Sequence, residues 1–352
     1  MKIRVLHLLG TAAPAGAATA RLVRQLAAGL DPLRFETAAW FLGREGPLFA
    51  ELQDAGVDCR VIPFESGRHL GRLLSLLWEL RHTPADIIHL HLWSHGIRWA
   101  AALSGKYLLL HLHSRVAESA QAHLRGVPTG GADVVVAVSK AVAAAAKGVH
   151  PRVIYPGVPI PAVAAVPDSP AVIGTASRLE PVKNIPAVLE AYARVRSEFP
   201  GVKLEIAGEG SQRESLEAYA CELGVSEGVR FLGWTANLIG IESRWSLFAL
   251  ASLDEGFPIA ALEAMAVGVP VVAPAAGGIP ELIEDDVTGR LSPTNTPDAI
   301  AERVAGLLRS PERCRAMGNA ARLRVTERFS TQNMVAAFAD VYENLLRRHH
   351  AA

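Results

Sequence analysis

The sequence predicts an α/β protein built from two doubly wound, Rossmann-like domains that face a central cleft. Short apolar runs alternate with helix-like segments from the N-terminus to about residue 296, which is typical of βαβ units in a parallel sheet. Five prolines within residues 156–170 interrupt the alternation, because proline fits neither a central strand nor a helix interior. The same alternation then starts again, so we expect two domains.

The first domain is expected over residues 1–156. Its apolar runs predict strands at IRVLHLL, FETAAWF, DCRVIPF, DIIHLHL, YLLLHLH, ADVVVAVS and RVIYP. Helix-like segments such as ATARLVRQLAAGL and GRLLSLLWELRH lie between these runs. Strands buried on both faces by such helices form near-continuous apolar runs.

A proline-rich linker, 157–170, leads to the second domain, 171–330. The runs AVIGTAS, VKLEIAG, GVRFLGW, SLFALAS and VPVVAP predict its strands. Residues 331–352 form a predicted C-terminal helix that could return to the first domain. Open α/β sheets bind ligands beyond the carboxyl ends of their strands, so the cleft between the domains is the expected site.

The composition excludes several classes of protein. Half of the 352 residues are hydrophobic, and 35 basic residues balance 35 acidic ones, so no net charge recruits nucleic acid. The three cysteines form no CxxC motif, which favours a reducing cytoplasm. The start MKIRVLHLLG is more typical of a first strand than of a signal peptide. We therefore expect a cytoplasmic globular protein.

The stretch DEGFPIAALE, residues 254–263, places two glutamates around seven uncharged residues. Glu255 follows a strand, and Glu263 lies inside a helix that should begin near Pro258 and end at Gly268. The start of that helix should turn four backbone N–H groups towards the cleft, those of Gly256, Phe257, Ile259 and Ala260. Such N–H groups bind anions, whereas carboxylates accept hydrogen bonds from hydroxyls. A nucleotide sugar fits this pattern, although a helix cap and a surface ion pair would also explain the glutamates.

Two cations follow the first strand of the second domain, in SRLEPVKN. Arg178 and Lys183 lie within one loop before a helix, where arginine can bind phosphate through two hydrogen bonds and lysine adds a point charge. Two solvated loop charges are the alternative. The stretch GEGS predicts a further tight turn at the same edge of the sheet.

The stretches SRLEPVKN, GEGS, VRFLGW and SLDEGFPIAALEAMAVGVPVVAPAAGGIPELIEDDVTGRL together resemble the family-4 retaining glycosyltransferases of the GT-B fold. The resemblance is detailed over residues 172–292 and extends in outline to the whole chain. It implies that Arg178 and Lys183 bind the donor diphosphate. It also implies that Glu263 holds ribose hydroxyls and that Glu255 contacts the transferred sugar.

The first domain resembles the same family more loosely. PAGAATARLVRQLAAGL is similar to the family's glycine-rich loop, and Gly16 alone carries over from its glycine pair. YLLLHLHSR is similar to the strand that ends in the family's active-site histidine, which implies that role for His113. His111 is expected on the opposite side of that strand. The side chains at positions 177, 251 and 252 are not expected to be essential, although the family differs at 177 and 251.

Several histidines raise the question of a metal site. They are His89, His91, His95, His111 and His113. No carboxylate lies at ligand spacing near them, so packing and cleft lining are favoured over zinc. The chain also contains no Asp-x-Asp motif, by which metal-dependent glycosyltransferases hold Mg²⁺ or Mn²⁺. We predict neither a metal nor a cofactor.

The predicted function is metal-independent, retaining transfer of a sugar from a nucleoside-diphosphate sugar to a hydroxyl acceptor, which could be a glycan, a lipid or a small molecule. The alternatives are a non-catalytic nucleotide-sugar binding protein and another GT-B enzyme such as an epimerase. The amphipathic segment 66–82 carries Arg68, Arg72 and Arg81 beside Trp78. It could touch a membrane, but a helix that covers the first sheet is favoured.

Overall fold

The chain forms two compact units, Met1–Gly157 with Thr331–Ala352 and Val158–Ser330. They are described from a computed structural model, which covers residues 2–10, 17–43, 46–64, 70–92, 94–114, 131–146, 148–162, 164, 171–235 and 237–350. The predicted linker lies only partly within these ranges. No helix in the described ranges is long and apolar enough to cross a bilayer.

The first unit contains a seven-stranded parallel sheet in the order β3-β2-β1-β4-β5-β6-β7. Its strands are β1 (Ile3–Leu9), β2 (Phe35–Leu42), β3 (Asp58–Ile62), β4 (Ile87–Leu90), β5 (Tyr107–Leu112), β6 (Val134–Ala137) and β7 (Arg152–Val153). The order reverses direction beside β1. This reversal is the doubly wound arrangement, in which ligands bind beyond the strand ends at the switch point.

Helices cover this sheet. They are α1 (Ala17–Gly29), α2 (Pro47–Asp54), α3 (Leu70–His82), α4 (His95–Ala102), α5 (Lys140–Ala145) and the last helix of the chain, α13 (Thr331–His350). The last helix packs on the first unit through buried Phe338 and Tyr342, which join the core formed by Leu26 and Ile87. Gly29 allows this approach, because a Cβ there would lie 2.8 Å from a methyl group of Val335.

The second unit contains a six-stranded sheet in the order β10-β9-β8-β11-β12-β13. Its strands are β8 (Val172–Ala176), β9 (Lys203–Ala207), β10 (Val229–Gly233), β11 (Leu247–Ala249), β12 (Val271–Pro274) and β13 (Gly289–Ser292). Its helices are α6 (Ile185–Glu198), α7 (Arg213–Glu222), α8 (Leu238–Glu242), α9 (Ile259–Ala266), α10 (Ile279–Leu282), α11 (Pro297–Leu308) and α12 (Pro311–Arg328). The strand pairs are parallel throughout the described part of the unit.

The predicted fold class is confirmed, since both sheets are parallel and doubly wound. The apolar runs named from the sequence all form strands.

One strand, β13, was not predicted. It begins with Gly289, where a Cβ would lie 2.4 Å from the carbonyl oxygen of Val271 on β12. The absence of a side chain there allows the close approach, and it also weakens the sequence signal for a strand.

Candidate functional site

The first part of the site is the loop that follows β8. Its backbone forms a 3₁₀ turn at Pro181–Lys183, and the Lys183 N–H donates to the Glu180 carbonyl at 2.8 Å. Asn184 then adopts a left-handed conformation with φ of 50° and starts α6. Arg178 is exposed in the same loop. The loop therefore places both predicted cations at the carboxyl edge of the second sheet.

The second part is the loop that follows β11, and an ion pair joins it to the first. Lys183 Nζ lies 2.5 Å from Oε1 of Glu255, and the two side chains are only 16% and 10% exposed. The backbone adds a second link, because the Leu253 N–H donates to the Val182 carbonyl at 2.9 Å. Lys183 and Glu255, which are both predicted site residues, therefore lie in contact at one place in the second unit.

Ser252 also contributes to this place. It is fully buried, and its hydroxyl donates to Oε1 of Glu255 at 3.0 Å. The side chain at position 252, which was not expected to be essential, therefore contacts a predicted site residue. The sequence signal that could have found it is the three-residue spacing to Glu255, which brings the two side chains together across the turn.

A glycine pair clamps the backbone of Glu255. The Gly278 N–H donates to the Glu255 carbonyl at 2.9 Å. Gly277 has φ of 54°, and a Cβ on it would lie 2.0 Å from the same oxygen. Only glycine fits both constraints. The loop after β12 therefore fixes the position of Glu255, a role that was not predicted for AAGGIP.

The third part is the start of α9. The helix begins at Ile259, so Pro258 is its N-cap residue rather than a member of its first turn. The sequence placed the N–H groups of Gly256, Phe257, Ile259 and Ala260 here. Gly256 and Phe257 are buried, whereas Ile259 and Ala260 are partly exposed. The helix cannot satisfy its own first N–H groups, so its partly exposed start can attract an anion.

Glu263 lies one turn into α9 and is 6% exposed. The helix carries it among buried small and apolar residues, Ala261, Leu262, Ala264 and Met265. A buried carboxylate needs polar partners, so its burial argues against a simple surface ion pair. Gly268, at φ of 90°, lies just past the end of the helix, as the sequence predicted.

The GEG turn supports the cationic loop. A Cβ on Gly208 would lie 1.8 Å from the Ser177 carbonyl oxygen, and one on Gly210 would lie 2.4 Å from that of Leu179. The turn is also tied to Glu180, whose carboxylate accepts hydrogen bonds from the N–H and the hydroxyl of Ser211 at 3.1 and 2.8 Å. These bonds lower the pKa of Glu180. The two glycines therefore let the loops that follow β8 and β9 pack closely.

His113 belongs to the first unit. It follows the last residue of β5 and is partly exposed. Its Nε2 lies 3.0 Å from Nδ1 of His91, and burial lowers its pKa to about 4. The ring is therefore neutral at pH 7. Gly16, the other predicted residue in this unit, lies outside the described residues.

His111 points to the same side of the strand as His113, and the expectation of opposite sides is wrong. The two ring centroids lie 4.2 Å apart. Successive side chains alternate along a strand, so residues two positions apart share a face. The same rule places His89 and His91 together, with ring centroids 4.1 Å apart.

His7, on β1, completes a group of five neighbouring imidazoles with His89, His91, His111 and His113. Burial lowers the pKa of His7 to about 3 and those of His89, His91 and His111 well below 6.5. Two triads, His7 with His89 and His91 and His91 with His111 and His113, have ring nitrogens close enough to hold a metal ion. Neither triad includes a carboxylate.

Two family models match the chain. The model described as "Glycosyltransferase Family 4" matches residues 19–160, and the model described as "Glycosyl transferases group 1" matches residues 160–324. The chain belongs to the family-4 glycosyltransferases. The resemblance noted in the sequence is thus confirmed, and it extends over both units.

Curated relatives match this family-4 chain over part of their length. It is 32% identical over 171 residues to N-acetyl-alpha-D-glucosaminyl L-malate synthase of Bacillus anthracis, covering 49% of the chain and 45% of the relative. It is 37% identical over 157 residues to D-inositol 3-phosphate glycosyltransferase of Segniliparus rotundus, covering 42% and 34%. The chain therefore aligns with less than half the length of these relatives.

Solved structures show the same fold over nearly the whole family-4 chain. The Anabaena HepE protein in complex with UDP and glucose superposes with a TM-score of 0.85 at 21% identity, covering 97% of this chain and 100% of that one. A glycosyltransferase from Rickettsia africae gives a TM-score of 0.83 at 19% identity, covering 98% and 99%. These matches establish the GT-B fold.

Proposed function

We propose that this protein is a retaining glycosyltransferase that moves a sugar from a nucleoside-diphosphate sugar to a hydroxyl acceptor without a metal ion. The observation that carries the proposal is the contact of Lys183 with Glu255 beside the start of α9. There, a cation suited to phosphate and a carboxylate suited to sugar hydroxyls lie 2.5 Å apart, within the second unit. In a nucleoside-diphosphate sugar, the diphosphate is bonded directly to the hydroxyl-bearing sugar, so Lys183 and Glu255 match neighbouring parts of the donor.

In this proposal, the donor diphosphate binds Arg178, Lys183 and the N–H groups at the start of α9. Negative charge grows on the diphosphate as the bond to the sugar breaks, and groups already in place stabilise that charge most effectively. These cations take the role that Mg²⁺ or Mn²⁺ has in enzymes with an Asp-x-Asp motif. This explains how transfer proceeds without a metal.

The two glutamates bind the two hydroxyl-bearing ends of the donor. Glu263, buried one turn into α9, accepts hydrogen bonds from the ribose. Glu255, held by Ser252 and by the clamp at Gly277, contacts the transferred sugar. A fixed carboxylate beside the sugar also favours the positive charge that develops there during transfer. Retention of configuration is the stereochemical outcome that membership of this family favours.

In the first unit, His113 contacts the sugar or the acceptor. The HepE structure with UDP and glucose supports a nucleoside-diphosphate donor, since that protein shares the fold over 97% of this chain. The name of the Bacillus anthracis relative supports a small hydroxy acid among the possible acceptors.

The test is a thermal-shift screen with UDP, GDP, ADP and dTDP sugars, because a ligand stabilises the folded state by RT ln(1 + [L]/Kd). The best donor is then assayed for transfer with excess chelator present, and the anomeric configuration of the product is read by NMR. The control is Lys203→Ala, which removes an exposed cation at the start of β9. Donor binding without hydrolysis or transfer to any hydroxyl acceptor would support the non-catalytic alternative instead.

A further inference from the structure

The five clustered histidines of the first unit form two separate hydrogen-bonded lines. In the first, called the His7 line, Nδ1 of His7 lies 2.9 Å from Nε2 of His91, and Nδ1 of His91 lies 3.0 Å from Nε2 of His113. In the second, the Tyr342 hydroxyl lies 2.7 Å from Nδ1 of His89, whose Nε2 lies 3.2 Å from Nδ1 of His111. The His7 line ends at the residue proposed to contact substrate.

The His7 line runs across neighbouring strands from the interior towards the carboxyl edge of the sheet. His7 on β1 is opposite His89 in the strand register, and it is fully buried. Its Nε2 has no hydrogen-bond partner among the described residues. His91 and His113 come just after β4 and β5 and are partly exposed. The His7 line therefore has one end buried in the interior, at His7, and the other end at the proposed site, at His113.

Because each neutral imidazole carries only one ring proton, the His7 line can adopt only two arrangements of its tautomers. A neutral imidazole has one N–H and one lone pair, and each hydrogen bond needs one of each. If His113 donates from Nε2, His91 must carry its proton on Nε2, and so must His7. If the bonds run the other way, all three rings carry the proton on Nδ1. In either state the three rings share one tautomer.

We propose that His91, and His7 acting through it, are positioning residues that hold the His113 ring in one orientation and one tautomer. The Nδ1 of His113, which has no partner among the described residues, then has a fixed character as either donor or acceptor. The inference rests on the proposed function only where it gives His113 a contact with substrate. The shared tautomer itself is independent of any activity.

A metal ion is the competing explanation for this cluster. A metal needs the lone pairs of three ligands to converge on one point. In the His7 line the nitrogens instead face each other in pairs at hydrogen-bond distance, and both nitrogens of His91 are used in this way. A proton between each pair explains the spacing without an ion, so the hydrogen-bonded line is favoured.

The direct test is NMR of the full-length protein with ¹⁵N-labelled histidine at pH 7.5. Protonated and unprotonated ring nitrogens have well-separated shifts, so each tautomer can be read directly once the rings are assigned by single substitutions. We expect His7, His91 and His113 to show the same single tautomer. Opposite tautomers within the line, or averaged signals for His113, would overturn the proposal. A stoichiometric change of all these signals on addition of Zn²⁺ would also overturn it, in favour of a metal site.

The functional test compares His91→Phe with His91→Gln, whose amide keeps a donor and an acceptor. We expect His91→Phe to lower kcat about tenfold, the effect of losing one ordinary hydrogen bond. The donor KM should stay unchanged and the His113 signals should become averaged, while His91→Gln recovers part of the kcat. Exposed His150 supplies the control His150→Gln. A lower unfolding midpoint with unchanged kcat would show that His91 is only structural.

The two tests separate this inference from the proposed function. Full activity in His113→Ala would contradict the proposed contact with substrate, and the NMR result would still decide whether the line holds one tautomer. If His113→Ala is inactive and His91→Phe keeps full kcat and a single His113 tautomer, the proposed function stands and the positioning role is refuted.

Discussion

The ammonium group of Lys183 lies 2.5 Å from Oε1 of Glu255, although the two residues are 72 positions apart in the sequence. The pair links the loop that follows β8 to the loop that follows β11. Because both side chains are mostly buried, each one neutralises the other while no ligand is present. In the proposed mechanism a bound diphosphate competes with Glu255 for Lys183 and frees the carboxylate for sugar hydroxyls.

This pairing predicts different outcomes for the two cations of the site. Arg178→Ala and Lys183→Ala should each lower turnover about 100-fold or more, the usual effect of losing one charge-stabilising group. Only Lys183→Ala should also lower the free energy of unfolding, by about 1–3 kcal/mol, because it leaves a buried carboxylate without its cation. Arg178 is exposed, so its truncation should change stability little.

Steady-state kinetics and urea unfolding of both variants, with Lys203→Ala as the control, measure the two effects. Near-normal turnover in both would place the diphosphate elsewhere.

Alanine substitution of the two glutamates should change different kinetic constants. Glu263 is proposed to hold ribose, whose contacts are equal in the ground state and the transition state, so Glu263→Ala should mainly raise the donor KM. Glu255 is proposed to touch the transferred sugar, so Glu255→Ala should mainly lower kcat. The affinity for free nucleoside diphosphate should stay the same or rise, because Glu255 no longer competes for Lys183. Calorimetric titration of the free nucleotide into both variants separates these roles. Loss of nucleotide affinity in Glu255→Ala alone would reverse the assignment.

The sequence predicted the two sheets because buried parallel strands leave long apolar runs between helical segments. It also predicted that Lys183 and Glu255 lie at strand ends, since each follows such a run. It could not predict their direct contact. That distance depends on how the 3₁₀ turn at Pro181–Lys183 meets the next loop, and no local pattern encodes the meeting of two loops.

Other features depended on contacts of the same kind. Gly277 looks like part of a flexible turn in sequence, but it is required because a Cβ there would lie 2.0 Å from the carbonyl oxygen of Glu255. His7 could not be connected to His113 from the sequence, because the two residues are 106 positions apart (113 − 7) and only the sheet order brings their strands close. The side of His111 could be predicted from the sequence, because residues two positions apart on a strand share a face.

Metal independence gives a direct prediction. Transfer should proceed at full rate in excess EDTA, because Arg178, Lys183 and the start of α9 supply the positive charge that a metal would otherwise provide. The measurement is the initial rate with EDTA, with Mg²⁺ and with Mn²⁺, using protein dialysed against chelator. A rate that vanishes in EDTA and returns with either metal would contradict the prediction.

Helix α3 has two apolar faces, and this allows a matched test of packing. Leu80 is fully buried, whereas Leu74, on the same helix, is 55% exposed beside exposed Trp78. Leu80→Ala should lower the free energy of unfolding by about 2–5 kcal/mol through the cavity that it leaves. Leu74→Ala should change it by no more than about 0.5 kcal/mol. Because the substitutions are chemically identical, urea unfolding of the two variants reports burial alone. Equal losses would mean that Leu74 is covered in solution.

The buried imidazoles predict that the first unit loses stability as the pH falls. Burial lowers the pKa of His7 to about 3 and that of His113 to about 4, whereas unfolded histidine has a pKa of about 6.5. Between about pH 6.5 and pH 4, the unfolded chain therefore binds more protons than the folded one, and acid favours unfolding. Each fully neutral ring contributes a slope of about 1.4 kcal/mol per pH unit once the pH is well below 6.5. The direction is opposite to that of a histidine paired with a carboxylate, which would gain stability in acid.

The pH effect can be measured by urea unfolding between pH 7.5 and pH 5, above the range in which most carboxylates titrate. His7→Phe keeps a buried ring but removes one proton-binding group from the unfolded chain. Its slope should therefore be smaller than that of the parent by about 1.4 kcal/mol per pH unit at the acid end. His150→Gln removes an exposed histidine outside the cluster, and we expect it to leave the slope unchanged. A slope of zero in the parent would mean that the cluster accepts protons while folded, and the neutral hydrogen-bonded lines would then be wrong.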